Sequence, residues 1–562
     1  MTLSDKQAAK GFMRLNMFTF PGEMTKLKPD RRWRQSGVVL LLCSSVLVAC
    51  SPRGPEVGTV GYVKGFLGGA AADEPRAALI ARDVLSAGGG AVDAAVALYF
   101  TLAVTLPSSA SLGGGGACVV FDKKSQTIEA LDFLARAPAR IGPSVDRPSA
   151  VPLNPRGMFA LHAKYGRMRW EQLVSPAANL ARFGNPLSRA LARDLYAAEG
   201  PLLADRESRR IFTRPDGSIV REGDVIEQLD LAAVLSLLRR APGKFYSGPF
   251  ARKLVKAVKE AGGSLTIEDL RGAIPRWRPT VAVNYGLLTA HFAPTPGGVT
   301  AAQIWTALTK VESYRSADME ERPHLFAETA MRAFADRGRW STDGLDIEVP
   351  LDDLVSTAHV ETMMSGYSSD RHRPAASLKP PPQRRRDQGA ATSFVVADRK
   401  GSAVACAFSM NNLFGTGRIA PGTGIMLAAA PDRRGQGPWA VGPMMVINQN
   451  VYEMFLVAAA AGSAAPSAMT QVALLALLGK HPIDEAMGAR RVFHRGAPDQ
   501  VLIEPGKGTK MLTSLRRRGH DVVEVPTLGL VNVFFCPKGL VGDDSVCQVR
   551  TDPRGYGLGA SE

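Results

Sequence analysis

The stretch from Gly389 to Leu427, GAATSFVVADRKGSAVACAFSMNNLFGTGRIAPGTGIML, constrains this chain more than any other. Residues 394–397 are apolar, residues 398–401 form a polar loop closing on Gly401, and residues 403–408 are apolar again. Two apolar runs joined by a short glycine-containing loop predict a β-hairpin. There is little polar alternation, so the sheet is expected to be covered on both faces. A small residue followed by Thr392 at the head of such a strand, after a polar linker, fits an N-terminal nucleophile. In that chemistry the chain is cut before Thr392, and the freed α-amine takes the proton of its own hydroxyl, so no separate histidine base is required. The same residues also read as an ordinary linker entering an ordinary strand.

The address is written at the other end. Residues 26–34 are basic and residues 38–49 are apolar, too short a run to span a bilayer comfortably. Leu47-Val48-Ala49-Cys50 resembles a bacterial lipobox, with Cys50 as the lipidated first residue. The alternative is a secretory signal cut nearby, with Cys50 incidental. Residues 1–49 are therefore read as a signal peptide, with Met24 as a second candidate start. A lipid-anchored protein of the bacterial envelope, facing the periplasm or exterior, is the expectation. The formal charge of +16 is scattered, with clusters at Arg384-Arg385-Arg386 and Arg516-Arg517-Arg518. No basic patch is interleaved with aromatics, which argues against nucleic acid as a partner. Cys118 and Cys406 lie in apolar runs and read as buried packing residues. Whether Cys536 and Cys547, which flank a turn at 537–539, form a disulfide stays open. No cysteine or histidine spacing points to a metal, and no cofactor is expected.

Between these ends the elements alternate. Residues 73–87 have helical spacing and stop at Gly88-Gly89-Gly90. Residues 91–106 form an almost wholly apolar helix interrupted by Asp93. A four-glycine run at 113–116 leads into strands at 117–121 and 127–133. Residues 150–290 are mainly helical, with apolar spacing near 3.6 at 170–183, 187–199, 228–240 and 249–261. Residues 371–387 are basic and proline-rich, which predicts a mobile linker.

Several of these blocks, in this order, resemble the γ-glutamyltranspeptidase family. They are the 389–427 stretch, the AVDAAVA helix followed by four glycines, Phe334-Ala335-Asp336-Arg337, Arg491-Val492-Phe493-His494 with Pro498-Asp499, and the closing Asp552-Pro553-Arg554. The resemblance runs from about Gly58 to Gly555. It implies an α/β four-layer αββα sandwich of the N-terminal nucleophile hydrolase type. It also implies a large-subunit-like segment at 50–391, with 371–391 as a mobile linker before the processing site, and a small-subunit-like segment at 392–562. By the same resemblance Ser409, Asn411, Gly462 and Ser463 belong to the substrate and oxyanion positions.

The resemblance also marks departures. The family nucleophile stands seven residues before the turn aspartate; counted back from Asp398, that position is Ala391. Thr392 serves only if cleavage and strand register shift by one residue, which sends side chains to the opposite face. The family's arginine clamp for the substrate carboxylate is Leu134, with Arg136 nearby. Its amine-binding acid is Arg433, its serine pair falls at Pro438-Trp439-Ala440, and of its glycine pair only Gly462 remains. Two functions follow as expectations. One is γ-glutamyl or amide transfer or hydrolysis by Thr392 on a small peptide or amide substrate, with an altered glutathione site. The other is a catalytically silent relative acting as an envelope binding or scaffold protein. The oligomeric state stays open.

Overall fold

The hairpin about Asp398 lies at the centre of a seven-stranded sheet. The structure is a computed structural model that describes residues 67–312, 314–341, 345–347, 349–378, 391–431, 437–507, 509–540 and 546–561, all within the unit Val63–Glu562. The signal-like segment, Cys50, Arg433 and residues 379–390 lie outside the described residues. Thirteen strands form the two large sheets: β1 (Gly68–Ala72), β2 (Gly115–Asp122), β3 (Thr127–Phe133), β4 (Arg276–Arg278), β5 (Val281–Tyr285), β6 (Leu288–Phe292), β7 (Ala391–Asp398), β8 (Ala403–Ser409), β9 (Met444–Asn448), β10 (Glu453–Ala461), β11 (Leu530–Phe535), β12 (Gln548–Arg550) and β13 (Leu558–Ser561). The first sheet has the order β13-β1-β7-β8-β2-β3-β4, and the second β12-β11-β10-β9-β6-β5. Every neighbouring pair in both is antiparallel.

Three apolar layers make this a four-layer αββα sandwich. On one face of the first sheet, Phe394, Val396, Cys406 and Phe408 pack with helices α1 (Pro75–Ser86), α2 (Ala91–Thr105), α3 (Trp170–Phe183) and α4 (Leu229–Arg240). Between the sheets, Val395, Ala397 and Ala405 meet Met445, Val457 and Phe534. Beyond the second sheet, Val446, Leu456 and Val533 meet α5 (Pro296–Thr306), α6 (Arg322–Trp340) and α7 (Ala465–Leu477). Covering on both faces explains why β7 and β8 lack polar alternation. Among the described residues no helix is long and apolar enough to cross a membrane.

Local chemistry explains the punctuation. Asp93, the acid inside the apolar helix, caps it: its carboxylate accepts the N–H groups of Gly90 at 2.9 Å, Arg167 at 2.8 Å and Met168 at 3.1 Å. Asp398 closes the hairpin loop by accepting from Lys400 and Ser402, and its other oxygen accepts the Ala91 N–H at 3.0 Å, at the start of α2. The glycine run is fixed by crowding. A Cβ at Gly115 would meet the Ala135 nitrogen at 2.1 Å, and one at Gly116 the Ala407 oxygen at 2.5 Å. The second half of the run, Gly115 and Gly116, therefore belongs to strand β2 itself.

Two features depart from the sequence reading, and one pairing left open there is settled. Cys118 and Cys406 are buried, as expected, but they also form a disulfide across the β2–β8 pair, where they sit directly opposite. Cys536 and Cys547 form the second disulfide. Within the segment read as a mobile linker, residues 371–378 are docked: His372 donates its backbone N–H to the Arg518 carbonyl, and Ala375–Leu378 forms a short 3-10 turn.

Phe408 is fully buried and faces Tyr99 at 4.8 Å, Phe394 at 5.4 Å and Phe133 at 5.8 Å between ring centroids. Phe408→Ala removes the hub of that aromatic group. Its expected cost is about 3–5 kcal/mol, read as a lower denaturation midpoint; a change under about 1 kcal/mol would show that the layer refills the space.

Candidate active site

The first residues of β7 decide the site. In register, Ala391 stands opposite Ser409, Thr392 opposite Phe408 and Ser393 opposite Ala407. Successive strand residues alternate faces, and the packing partners identify each face. Thr392 shares its face with Phe394 and Phe408, under the helices. Ala391 and Ser393 share theirs with Val395 and Ala407, toward the second sheet. The chain enters the strand through Ala391, which is half-buried, whereas Thr392 and Ser393 are buried.

A carboxylate missed at the sequence level organises this strand end. Asp73, just past β1, accepts the Thr392 hydroxyl at 2.8 Å and the Ser393 N–H at 3.0 Å on one oxygen. Its other oxygen accepts from Asn532 Nδ2 at 2.8 Å. Asn532, on β11, also lies 3.0 Å from the Ser393 carbonyl and 3.0 Å from the Ser393 hydroxyl. Asp73 and Asn532 thus tie β7 to both sheets. Burial pushes the Asp73 carboxyl up to about 6, although the bonds from Ser393, Asn532 and Thr392 oppose the rise. Near neutral pH it is a carboxylate accepting a hydroxyl proton, the geometry of a base beside an alcohol.

The other expected residues fall into separate groups. The Ser409 hydroxyl accepts the Asn411 N–H at 2.9 Å, and Asn411 donates from Nδ2 to the Ala429 carbonyl at 2.9 Å, with φ at 61°. Ser409 and Ala391 are therefore brought together, with Asn411 bracing the turn behind them. Gly462 and Ser463 follow the end of β10, where Gly462 takes φ 92° and its carbonyl accepts the Ala465 N–H at the start of α7. Neither makes a hydrogen bond to Thr392. Leu134 and Trp439, at two of the altered positions, are buried in the apolar layer between the sheets. Arg136 is engaged by Asp346 through two bonds of 3.0 Å. A cleft of about 690 Å³ runs beside Leu134, lined by Arg136, Arg140, Arg276, Glu268 and Asp269 among others.

Histidines and acids also converge elsewhere. His324, Glu328 and His520 place ligand atoms within 4.8 Å of one another. Their donors already engage each other. His324 Nε2 donates to the Ser368 carbonyl at 2.8 Å, so its Nδ1 accepts from His520 Nε2 at 2.7 Å. Glu328 is held by Arg332 and by His372. The cluster is a hydrogen-bonded network.

The folded Asp73 keeps its proton where the unfolded chain has released it. Stability therefore falls as pH rises from about 4 to about 6. The rise from 3.8 to about 6 corresponds to about 3 kcal/mol. Asp73→Asn is expected to remove that share of the slope, read by chemical denaturation at about pH 4 and about pH 7; an unchanged slope would assign the pH dependence to other groups.

The family model for gamma-glutamyltranspeptidase matches residues 77–561. The chain is 27% identical to the glutathione hydrolase proenzyme of Escherichia coli (strain K12), covering 94% of this chain and 98% of that protein. It is 30% identical to the glutathione hydrolase proenzyme of Bacillus subtilis (strain 168), covering 69% and 72%. Among solved structures, the cephalosporin acylase of Bacillus halodurans superposes with a TM-score of 0.77 at 23% identity, over 91% of this chain and 99% of that one. The γ-glutamyltranspeptidase of Helicobacter pylori superposes with a TM-score of 0.51 at 29% identity, over 58% and 97%. With the sandwich and the hairpin at its centre, these matches establish that the chain belongs to the γ-glutamyltranspeptidase family and has the N-terminal nucleophile hydrolase fold.

Proposed function

We propose that this protein is a member of the family that does not process itself and does not turn over glutathione, and that it serves as a ligand-binding protein of the bacterial envelope. One observation carries the reading. The residue facing the second sheet at the strand entrance, opposite Ser409, is Ala391, while the Thr392 hydroxyl lies on the helix-covered face. An alanine has no nucleophile to attack the preceding peptide bond. The surroundings agree: Leu134 cannot clamp a carboxylate as an arginine does, and Arg136 is paired with Asp346. The cleft beside Leu134 suits a small peptide or amide with apolar character.

A second reading rests on a different observation. The bond from the Thr392 hydroxyl to the Asp73 carboxylate pairs an alcohol with a base. On this reading the chain is cut before Thr392 and acts as an amidohydrolase or acyltransferase with a less polar substrate. A denaturing gel and N-terminal sequencing of the purified protein separate the two. The expected result is one lasting chain and no release of chromophore from a γ-glutamyl anilide. Two fragments, the smaller beginning at Thr392, would overturn the first reading in favour of the second.

The envelope address rests on Leu47-Val48-Ala49-Cys50. Expression in a bacterial host with radiolabelled palmitate is expected to label the wild type and not Cys50→Ala, with the variant leaving the membrane fraction. Equal labelling of both would remove the anchor from the proposal.

A further inference from the structure

Four of the chain's eight histidines gather in one network: His324, His494 and His520, which are buried, and the half-buried His372. His372 is the member that the docked segment 371–378 contributes. Its Nδ1 lies 2.6 Å from Glu328 Oε1 and its Nε2 lies 3.1 Å from Asp499 Oδ1. Both ring nitrogens face carboxylate oxygens, so both carry protons and the ring is an imidazolium. Each carboxylate is committed to the charged form by its other partners. Glu328 also receives Arg332, and Asp499 also receives the Ala375 N–H at 2.9 Å and His494 Nε2 at 3.1 Å.

We infer that His372 is a protonation-dependent latch: its imidazolium, clamped between Glu328 and Asp499, holds residues 371–378 against α6 and the loop carrying Asp499, and loss of one proton releases them.

Every charged neighbour is consistent with a single titrating ring. From α6, Glu328, Arg332 and His324 face the latch. From the turn after the helix Lys510–Arg517, His520 lies 4.4 Å from the His372 ring, and Arg518 donates to the Ser369 carbonyl. From the loop after the strand Val492–Phe493 come His494 and Asp499. Just before the segment Asp370 accepts from Ser368, and on it Arg373 is held by Ser377 and the Ser365 carbonyl. Burial opposes charge on His372, but Glu328 and Asp499 outweigh it and raise its pKa. Burial keeps His520 neutral, down to about 3, and lowers His324 and His494. His372 and Arg332 hold the Glu328 carboxyl down to about 2 against its burial, and Asp499 lies below the usual carboxylate range. A raised histidine contributes fully below its ordinary value of about 6.5 and is lost as pH rises through the folded value. The latch is thus closed below the ordinary histidine value and opens as pH rises through the raised folded value.

Hydrogen exchange by mass spectrometry on the full-length protein tests this, following peptides that cover 371–378 and, as a control, α2. After correction for intrinsic exchange, protection of 371–378 is expected to be highest near pH 6. It should then fall about tenfold per pH unit between the ordinary and folded histidine values, with α2 unchanged. His372→Gln is expected to show low protection at every pH. Should that variant fail to fold, the wild-type profile alone decides. Protection of 371–378 that stays flat between about pH 6 and about pH 9 overturns the latch. So does a pH profile retained in His372→Gln, or one abolished by a chelator, which would make the cluster a metal site.

Discussion

A β-strand turns its side chains to opposite faces at every step, and the rest of this molecule depends on that parity at the start of β7. The Ala391–Ser409 pair sets the register. From it follow the packing of Phe394 and Phe408 under the helices and of Val395 and Ala407 between the sheets. Moving Thr392 to the inter-sheet face would carry Phe394 and Val396 with it. Two large apolar layers would then have to repack, at a cost far above the few kcal/mol that a single active-site contact supplies. The cross-strand disulfide Cys118–Cys406 adds a covalent restraint on the neighbouring pair. Parity makes the identity of residue 391, not the presence of a nearby threonine, the decisive fact about chemistry here.

Much of this was legible in the sequence because it is local. The apolar runs around Asp398 gave the hairpin, and the count back from Asp398 put Ala391 at the family's nucleophile position, but which face Thr392 takes was not legible until the strand register was known. Helix 170–183 was read at its observed limits. The order of blocks implied the four layers. What was not legible is what the fold brings together from far apart. Asp73 lies 319 residues from Thr392, and Asn532 lies 459 residues from Asp73. Neither sits in a motif with fixed spacing. Cys118 and Cys406, 288 residues apart, looked like packing residues because buried cysteines have the same sequence context whether or not they pair. The docking of 371–378 was hidden for a related reason: polar, proline-rich composition predicts mobility, and nothing local reveals that His372 meets Glu328 and Asp499.

The two buried polar centres of the protein have opposite energetic signs. Around His372 the charges are matched, and the carboxylates and imidazolium favour one another. Removing one partner there would leave an uncompensated buried charge, which is strongly destabilising. That centre contributes to stability near neutral pH. Around Asp73 the partners are neutral: a hydroxyl, a backbone N–H and an amide. Their bonds lower the carboxyl's pKa less than burial raises it, so ionised Asp73 costs stability near neutral pH.

That cost bears on what the strand end is for. Three donors, from Thr392, Ser393 and Asn532, converge on Asp73, so the site takes an acceptor with two oxygens; an asparagine there would set its own amide N–H against that of Asn532. Perturbed acids of this kind concentrate at binding and catalytic sites. Asp73 reaches Thr392 on one side of the strand and Ser393 with Asn532 on the other, so it senses both faces of β7 at the point where the chain enters the sheet. A group that donated one further hydrogen bond to this carboxylate would recover part of the penalty and would be held for that reason. The proposed binding role rests on this pairing: alanine at the head of the entrance and, behind it, a carboxylate whose pKa burial has raised.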